Sequence, residues 1–257
     1  MGLLPTRYLS VAGEYAGAVH IPLAELERRT HELPPPEREV WVVADSWEAY
    51  YALGWLHARG RRARLVSAPP PDADPTARYR LWEPNAWLEE VIRRGSHSQS
   101  SRALDLGCGS GREAVYLAAQ GWQVMAIDRL PEALQRGRDL QRRYAPDSLP
   151  IHWVCADLER SDWQPDGKFD CALLFYFYAR ELIPRACAWL NRGGALIVEA
   201  FTETHRAHFG KPASDRRVAY AGELPTLLPD GMRVVAYSEG WRANGRHTAR
   251  LWAIRVG

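Results

Sequence analysis

Residues 103–114 have the sequence ALDLGCGSGREA, and the architecture of the chain can be worked out from this stretch outward. It begins as an apolar strand and ends in helix-favouring residues, with glycines at 107, 109 and 111 between them. Glycines let the backbone turn tightly and let a ligand lie against the N–H groups at the start of the helix. Asp128 ends the next apolar run, where its carboxylate can accept hydrogen bonds from ribose hydroxyls. The combination predicts a site for an adenosine-type cofactor.

The identity of that cofactor depends on one acidic residue. Gly109, Gly111 and Ala114 fit part of the dinucleotide-binding fingerprint, so NAD has to be weighed. Asp105 stands two residues before the first glycine, and a carboxylate at a strand end is costly unless it is paired. It would repel a diphosphate and attract a cationic, amine-bearing ligand. The sequence therefore predicts a positively charged cofactor without phosphates, with an NAD-dependent oxidoreductase as the weaker alternative.

Strand-like and helix-like segments alternate after residue 100. The apolar runs lie at 102–106, 122–127, 151–155, 169–175 and 194–201, and the helical stretches lie near 111–120, 131–144 and 183–190. This alternation predicts an α/β fold, a parallel sheet with helices on both faces. The end of the chain differs, because residues 232–238 and 249–256 are strand-like and are joined through Asn244 and Gly245. That pattern predicts an antiparallel hairpin at the sheet edge.

The motif Asp105-x-Gly107-x-Gly109-x-Gly111 resembles motif I of the class I S-adenosylmethionine-dependent methyltransferases. The resemblance continues in order along the chain, at residues 156–158, 169–174 and 190–194. It implies an S-adenosyl-L-methionine-dependent methyltransferase with a Rossmann-like domain. In that family the mostly parallel seven-stranded sheet has a reversed last strand, and the cofactor is S-adenosyl-L-methionine.

The resemblance also implies which residues contact the cofactor. Asp128 would hold the ribose, and Asp157 with the neighbouring backbone at Leu158 would read the adenine. The predicted cofactor-binding residues are Asp105, Gly107, Cys108, Gly109, Gly111, Asp128, Arg129, Asp157, Leu158, Phe175 and Tyr176. Within the family, the segments at 199–201, 208–212 and 222–224 resemble the bacterial branch that includes tellurite-resistance and thiopurine-type methyltransferases.

The implied reaction is an in-line displacement at a methyl carbon that the sulfonium already activates. Positioning supplies most of the acceleration, and a base is needed only if the acceptor must lose a proton. A thiol that reacts as its thiolate, a chalcogen oxyanion or an amine can react without one. Residues 175–180 follow the fourth strand, at the edge that faces the methyl group in this fold. We expect Phe175 or Tyr176 to touch the cofactor, and Tyr178 with Arg180 to face the acceptor as catalytic residues.

Two further segments are weaker candidates for the site. Residues 202–206 follow the fifth strand and could reach the acceptor, although a solvated loop accounts for them at least as well. Residues 80–84 could fold over the methionine end of the cofactor or pack between domains. The cysteines do not have the spacing of a zinc site, and no metal site is predicted.

A proline-rich stretch at 68–75 predicts a stiff, extended linker, since this density of proline forbids helix and ladder pairing. It divides the chain into a small domain of residues 1–68, a linker of residues 69–80 and a methyltransferase domain of residues 81–257. A second polar stretch, at 94–101, predicts a loop before the next strand.

The N-terminal segment resembles a trimmed rhodanese domain, at residues 14–23 and along the strand 40–43. The active loop of that family carries a cysteine that holds persulfide sulfur. The matching position here is Ala44, and the first cysteine of the chain is Cys108. Without a thiolate there is no sulfur carrier. We therefore predict a small α/β domain that is inactive as a sulfurtransferase and that covers the active site, dimerises or stabilises the chain.

Charge and hydropathy argue against a nucleic-acid-binding protein and a membrane protein. A net charge of +2 is too small to indicate nucleic acid, and no apolar run approaches the roughly 20 residues of a membrane span. With no signal-peptide pattern, the sequence predicts a cytoplasmic protein whose partner is a small-molecule methyl acceptor, and it leaves a homodimer open. Two alternatives remain. One is a cofactor-binding regulatory or scaffold protein without turnover. The other is a nucleic-acid methyltransferase, whose Asn/Asp-Pro-Pro-Tyr type of signature is missing at residues 175–178.

Overall fold

The computed structural model describes residues 3–69, 71–95, 101–160 and 163–257. The chain divides into two compact units. The first comprises Met1–Glu83 with Arg143–Pro146, and the second comprises Pro84–Arg142 with Asp147–Gly257. Most of the loop predicted at 94–101 lies outside the described residues. Within the described ranges, no helix is both long enough and apolar enough to cross a membrane.

The first unit is built on a small parallel sheet. Its elements are the strands β1 (Leu3–Pro5), β2 (Tyr8–Ser10), β3 (Ala18–His20), β4 (Val40–Val43), β5 (Ala63–Val66) and β6 (Arg78–Arg80), the helix α1 (Trp47–Ala58), and the 3-10 turns Leu23–Glu25 and Thr30–Glu32. Strands β3, β2, β4 and β5 lie side by side in that order, and all are parallel. Val40, Val42 and Val43 are buried, as expected for the continuous apolar strand of a parallel sheet.

Strand β6 lies where the sequence predicts a linker. Residues 78–80 are the last three of the predicted linker, and they pair in parallel with β1 in a separate two-stranded ladder. The segment Arg-Tyr-Arg contains no proline, so its backbone amides can join a ladder, which the upstream prolines cannot do. The first unit accordingly continues to Glu83, beyond the predicted domain end at residue 68.

The second unit holds a seven-stranded sheet. Its strands are β7 (Arg102–Leu106), β8 (Gln123–Asp128), β9 (His152–Cys155), β10 (Phe169–Phe175), β11 (Leu190–Phe201), β12 (Met232–Trp241) and β13 (His247–Arg255). The order across the sheet is β12-β13-β11-β10-β7-β8-β9. Strand β13 is antiparallel to both of its neighbours, and the other neighbouring pairs are parallel. The predicted α/β, mostly parallel sheet with a reversed last strand is confirmed.

The helices of this part of the chain follow the predicted alternation. They are α2 (Ala86–Arg94), α3 (Arg112–Ala118), α4 (Pro131–Tyr144), α5 (Leu182–Ala188), α6 (Glu203–Phe209) and α7 (Glu223–Thr226), with a 3-10 turn at Asp215–Arg217. Leu104, Ile127, Leu174 and Val198 are fully buried and form the centre of the core. Because strands β7 to β10 are parallel, their carboxyl ends meet at one edge of the sheet, and a ligand site belongs there.

Strand β11 begins earlier than the sequence predicts. The sequence predicts a strand at 194–201, whereas residues 190–194 already form the first part of β11, which begins pairing with β10 at Leu190. The pairing register shifts between Phe169 and Cys171. Gly193 has a φ of 81°, so the glycine pair creates an irregularity within the strand and does not end it.

Candidate active site

The glycine turn between β7 and α3 is fixed by backbone hydrogen bonds. The N–H groups of Gly107 and Cys108 both donate to the carbonyl of Ile127 in β8, each at 2.9 Å. The N–H of Gly111 donates to the carbonyl of Cys108, also at 2.9 Å. These bonds attach the turn to the neighbouring strand and lead the chain directly into α3.

The three glycines of the turn meet different surroundings. A Cβ atom at Gly107 would lie 2.5 Å from Cγ of Phe177, and one at Gly111 would lie 2.4 Å from Cη2 of Trp153. At Gly109, no described heavy atom lies within 4 Å of that position. Two of the glycines are therefore required by side-chain packing, and Gly109 faces the space that a ligand can enter.

Asp128, at the end of β8, is held against this turn. Its Oδ2 accepts a hydrogen bond from the N–H of Gly109 at 2.9 Å, and its Oδ1 accepts one from the N–H of Leu130 at 2.9 Å. Each carboxylate oxygen has two lone pairs, so both retain capacity for ribose hydroxyls. The predicted contact Arg129 follows directly, and its guanidinium lies 4.0 Å from the carboxylate of Glu159.

Asp105, near the end of β7, has the electrostatics of a cation site. Its side chain accepts a hydrogen bond from the N–H of Ala114, and only 3% of the residue is exposed. Its Oδ2 has no hydrogen-bond partner among the described residues. Burial raises the pKa of Asp105 well above its ordinary range, and the charges of Glu113 and Asp128 raise it further. A buried carboxylate in this state gains a partner when a cationic ligand arrives, so the residues present fit a positively charged cofactor.

Two carboxylates of the site were not predicted from the sequence. Glu113, in the first turn of α3, accepts a hydrogen bond from the N–H of Asn85 at 3.0 Å. Burial raises the pKa of Glu113, and Glu199 adds to the rise although Arg112 opposes it. Glu199 interrupts the apolar strand β11, and its Oε2 has no partner within the described part of the chain. A charged residue inside such a strand was the available sequence signal for Glu199.

Cys108 belongs to the turn but carries no reactive thiolate. It is buried, and burial raises the pKa of its thiol, with further increases from Asp105 and Asp128. Cys108 therefore contributes its backbone to the turn, and its side chain packs as a small apolar group.

The predicted adenine contacts lie beside Asp128. Strand β9 pairs with β8, with Cys155 opposite Asp128, and Asp157 follows two residues later. Oδ1 of Asp157 accepts a hydrogen bond from the N–H of Glu159 at 3.1 Å. Leu158 is buried, and its carbonyl accepts a hydrogen bond from Arg185 at 3.2 Å. The structure thus places the two predicted acids at adjacent strand ends.

Comparison with known proteins decides what this arrangement is. The family described as "Methyltransferase domain" matches residues 103–194, which include the glycine turn, Asp128 and Asp157. The chain contains an S-adenosylmethionine-dependent methyltransferase domain. Its cofactor is S-adenosylmethionine.

Individual relatives of the chain are distant. An uncharacterised protein of Schizosaccharomyces pombe, UNK4.09, is 22% identical over 93% of this chain and 88% of its own length. Carboxy-S-adenosyl-L-methionine synthase of Geobacter is 29% identical over 42% of this chain, and the match spans about half (49%) of the synthase. Among solved structures, TehB from Haemophilus influenzae superposes with a TM-score of 0.52 over 67% of this chain and 62% of that chain, at 19% identity. At this level of identity, the similarity to TehB shows a shared fold.

The methyltransferase domain has an aromatic wall after β10. Phe175 ends the strand, and Tyr176 has a φ of 58°, the one left-handed value among the described non-glycine residues. The N–H of Tyr176 donates to the carbonyl of Glu199 at 2.8 Å. Backbone strain of this kind persists where the surrounding structure demands it, and it is common in ligand sites.

Tyr178 and Arg180 are brought together by Glu223, which was not among the predicted site residues. The hydroxyl of Tyr178 donates to Oε2 of Glu223 at 2.9 Å, and Arg180 donates to both oxygens of the same carboxylate. Arg180 also donates to the carbonyl of Val218 at 3.0 Å. Tyr178 is 1% exposed, and burial with the Glu223 contact raises the pKa of its hydroxyl. Tyr178 is therefore held as a hydrogen-bond donor to Glu223. That the pair faces the acceptor stays a prediction.

The two weaker candidate segments have different positions in the structure. Thr202 precedes α6, so residues 202–206 form a helix start and not the solvated loop. Of the segment 80–84, residues 80–83 belong to the first compact unit, where Arg80 and Trp82 are buried and Nη1 of Arg80 donates to the carbonyl of Trp82 at 2.7 Å.

Proposed function

We propose that the chain transfers the methyl group of S-adenosylmethionine to a small-molecule acceptor, a thiol, a chalcogen oxyanion or an amine. The observation that supports the cofactor site most directly is the buried Oδ2 of Asp105 beside the glycine turn, which has no hydrogen-bond partner among the residues that the structure describes. The Tyr176 ring, which packs on Phe201 with the centroids 4.9 Å apart, supports an acceptor side that is lined by aromatic side chains.

Eight of the predicted residues have a proposed part in this reaction. When bound, the cofactor supplies a methyl carbon on a positively charged sulfur. Asp105 attracts the cationic end of the cofactor, Asp128 accepts hydrogen bonds from the ribose, and Asp157 with the backbone of Leu158 contacts the adenine. Phe175 or Tyr176 lies against the sulfonium, where an aromatic face stabilises positive charge. Tyr178 and Arg180, which both donate hydrogen bonds to Glu223, line the acceptor side of the site.

A screen with methyl-labelled S-adenosylmethionine tests the proposal. We expect label to appear on at least one member of a panel of thiols, selenite, tellurite and amines, because the predicted reaction needs positioning more than a specialised base. The measurement is label in the extracted product, with heat-treated protein as the control. Binding of the cofactor without label transfer to any acceptor class would favour the regulatory or scaffold alternative.

We also propose that the first unit is a rhodanese-like domain without sulfurtransferase activity. Its parallel order β3-β2-β4-β5 supports the resemblance in architecture. The position of the persulfide cysteine is Ala44, at the end of β4, and the next residue is an acid. The hydroxyl of Tyr15 donates to Oδ2 of Asp45 at 2.8 Å, so a carboxylate occupies the loop in which the family binds an anion. A cytoplasmic location, a homodimer and the domain limits 1–68 and 81–257 stay predictions.

Sulfur-transfer assays should show no activity. With cyanide or a thiol as the acceptor, we expect the full chain to transfer sulfur from thiosulfate at the rate of buffer, because no thiolate can form at Ala44. An active rhodanese assayed in parallel verifies the conditions. A rate above buffer that survives purification would contradict both the inactivity and the alignment of Ala44 with the missing cysteine.

A further inference from the structure

The side chain of Phe177 covers the first glycine of the turn. A Cβ atom at Gly107 would lie 2.5, 2.6 and 2.7 Å from Cγ, Cβ and Cδ1 of Phe177, so this side chain starts directly against the glycine backbone. Phe177 follows Tyr176, whose left-handed backbone turns the chain just after β10. Strand β10 lies next to β7 in the sheet, so residue 177 emerges beside the turn that follows β7. Phe177 therefore borders the ligand space at Gly109.

The guanidinium of Arg217 lies over the Phe177 ring. Its central carbon is 5.4 Å from the ring centroid, within the range in which a cation is attracted to an aromatic face. Arg217 ends the 3-10 turn Asp215–Arg217, which belongs to the segment between β11 and β12. Its backbone N–H donates to the carbonyl of Ser214 at 3.0 Å, and this bond fixes the turn. Gly107, Phe177 and Arg217 thus form three successive layers at the end of β7.

The same guanidinium reaches the side of the site that is predicted to hold the adenine. Nη2 of Arg217 lies 2.6 Å from Oε2 of Glu159, and the two side chains are 29% and 42% exposed. Glu159 stands two residues after Asp157, and its backbone N–H donates to Oδ1 of Asp157 at 3.1 Å. The ion pair therefore holds the residue whose backbone positions the predicted adenine contact.

The contacts of Arg217 join the two sides of the sheet edge at which the cofactor site lies. Phe177 follows β10 and Glu159 follows β9, and the order of these strands in the sheet is β10-β7-β8-β9. The glycine turn leaves β7, and Asp128 ends β8. Arg217 therefore connects segments that stand on either side of the two strand ends carrying the turn and the predicted ribose contact.

We infer that Phe177, Arg217 and Glu159 form a latch that controls how fast S-adenosylmethionine enters and leaves its site. Exchange of the cofactor requires the Phe177 ring to move off the turn or Glu159 to move away, and either movement breaks a contact of Arg217. Arg217 is a positioning residue, because it acts through the other two. The inference rests on the cofactor site of the proposed function, and it concerns exchange of the cofactor, not the identity of the acceptor.

Dissociation of the cofactor measures the latch without relying on methyl transfer. Methyl-labelled S-adenosylmethionine is bound to the full chain and chased with excess S-adenosylhomocysteine, and the label that the protein retains gives the dissociation rate. We expect Arg217→Gln and Glu159→Gln each to speed dissociation by about two- to fivefold, the range of an exposed ion pair. In the wild type the rate should rise with ionic strength, because salt screens an exposed pair, and this rise should be lost in Arg217→Gln.

Further variants separate the latch from a general loosening of the fold. The double variant Arg217→Gln with Glu159→Gln should release the cofactor no faster than Glu159→Gln alone, because both changes break the same contact. Arg217→Lys keeps a cation within reach of Glu159 and should restore slow release.

Arg142→Gln is the matched control, since it removes an arginine from the exposed ion pair with Asp139 on α4, and it should release the cofactor at the wild-type rate. A wild-type rate in Arg217→Gln at low and high salt, or independent effects of the two changes in the double variant, would overturn the inference. A chain that binds no S-adenosylmethionine would instead contradict the proposed function.

Discussion

We expect Asp105→Asn to weaken the binding of S-adenosylmethionine by about ten- to a hundredfold, while the unfolding temperature of the cofactor-free protein stays the same or rises. The first effect follows because a charge-assisted interaction contributes about 1.5–3 kcal/mol, and that range corresponds to this change in Kd. The second follows because asparagine keeps the acceptor for the Ala114 N–H and removes a buried charge. Calorimetric titration and thermal unfolding measure the two quantities.

The same substitution has a pH signature. The pKa of Asp105 is raised in the cofactor-free fold, so protonation occurs at a higher pH than in the unfolded chain. The stability that it contributes is present at low pH and is lost as pH rises through the folded pKa. Cofactor affinity has the opposite pH dependence, and it should fall as the pH falls through the folded pKa of Asp105. In Asp105→Asn this part of the pH dependence should disappear.

Asp166→Asn is the matched control for the charge change. Asp166 is exposed and lies before the start of β10, at the opposite edge of the sheet from the glycine turn. We expect its cofactor affinity to equal that of the wild type. If Asp105→Asn bound S-adenosylmethionine as tightly as Asp166→Asn does, the carboxylate at the end of β7 would have no part in cofactor selection.

Gly109→Ala and Gly111→Ala should separate binding from stability. At Gly109 the added methyl meets no described atom within 4 Å, and the backbone cost at a φ of 54° is about 1–2 kcal/mol. The methyl group then projects into the ligand space, so we expect the chain to fold and its affinity for S-adenosylmethionine to fall at least about tenfold. Gly111→Ala adds a contact of 2.4 Å with Trp153 to a similar backbone cost. It should destabilise the fold by about 2–4 kcal/mol.

Thermal unfolding and cofactor titration of the two variants provide the measurement. For a domain of this size, the Gly111→Ala loss corresponds to a fall of roughly 5–15 °C in the unfolding temperature. The control is Gly54→Ala on α1, where a Cβ also meets open space and the backbone is helical. Unimpaired binding in Gly109→Ala would show that the cofactor does not approach the turn at that residue.

The parallel sheet could be predicted because its strands are mostly apolar and alternate with helical segments. Strands β7 and β10 were predicted with their observed bounds, and the hairpin of β12 and β13 was predicted from its Asn-Gly turn. The early start of β11 was missed because the pair Gly193-Gly194 is typical of a turn. In the structure the pair lies inside the strand, where the pairing register shifts.

The acceptor side of the site could be predicted only in part. Tyr178 and Arg180 were identified from their place after β10, but Glu223 is 43 residues beyond Arg180 and joins them only in three dimensions. The stack of Tyr176, Phe201 and His205 was missed for the same reason, because these rings come from the end of β10, the end of β11 and α6. Local patterns report strands and turns, whereas side-chain partners across the fold depend on the packing of distant elements.

The indole of Trp153 rests on two glycines, and this links three positions of the chain. A Cβ at Gly137 in α4 would lie 2.5 Å from the ring, as close as one at Gly111. An alanine at either glycine would clash with the indole. A smaller side chain at 153 would remove both contacts, although alanine at 111 would keep the backbone cost of a φ of 73°. Among homologues, we therefore expect the three positions to vary together. The last glycine of the turn, Gly111, would then depend on the size of residue 153 in β9 as well as on the ligand.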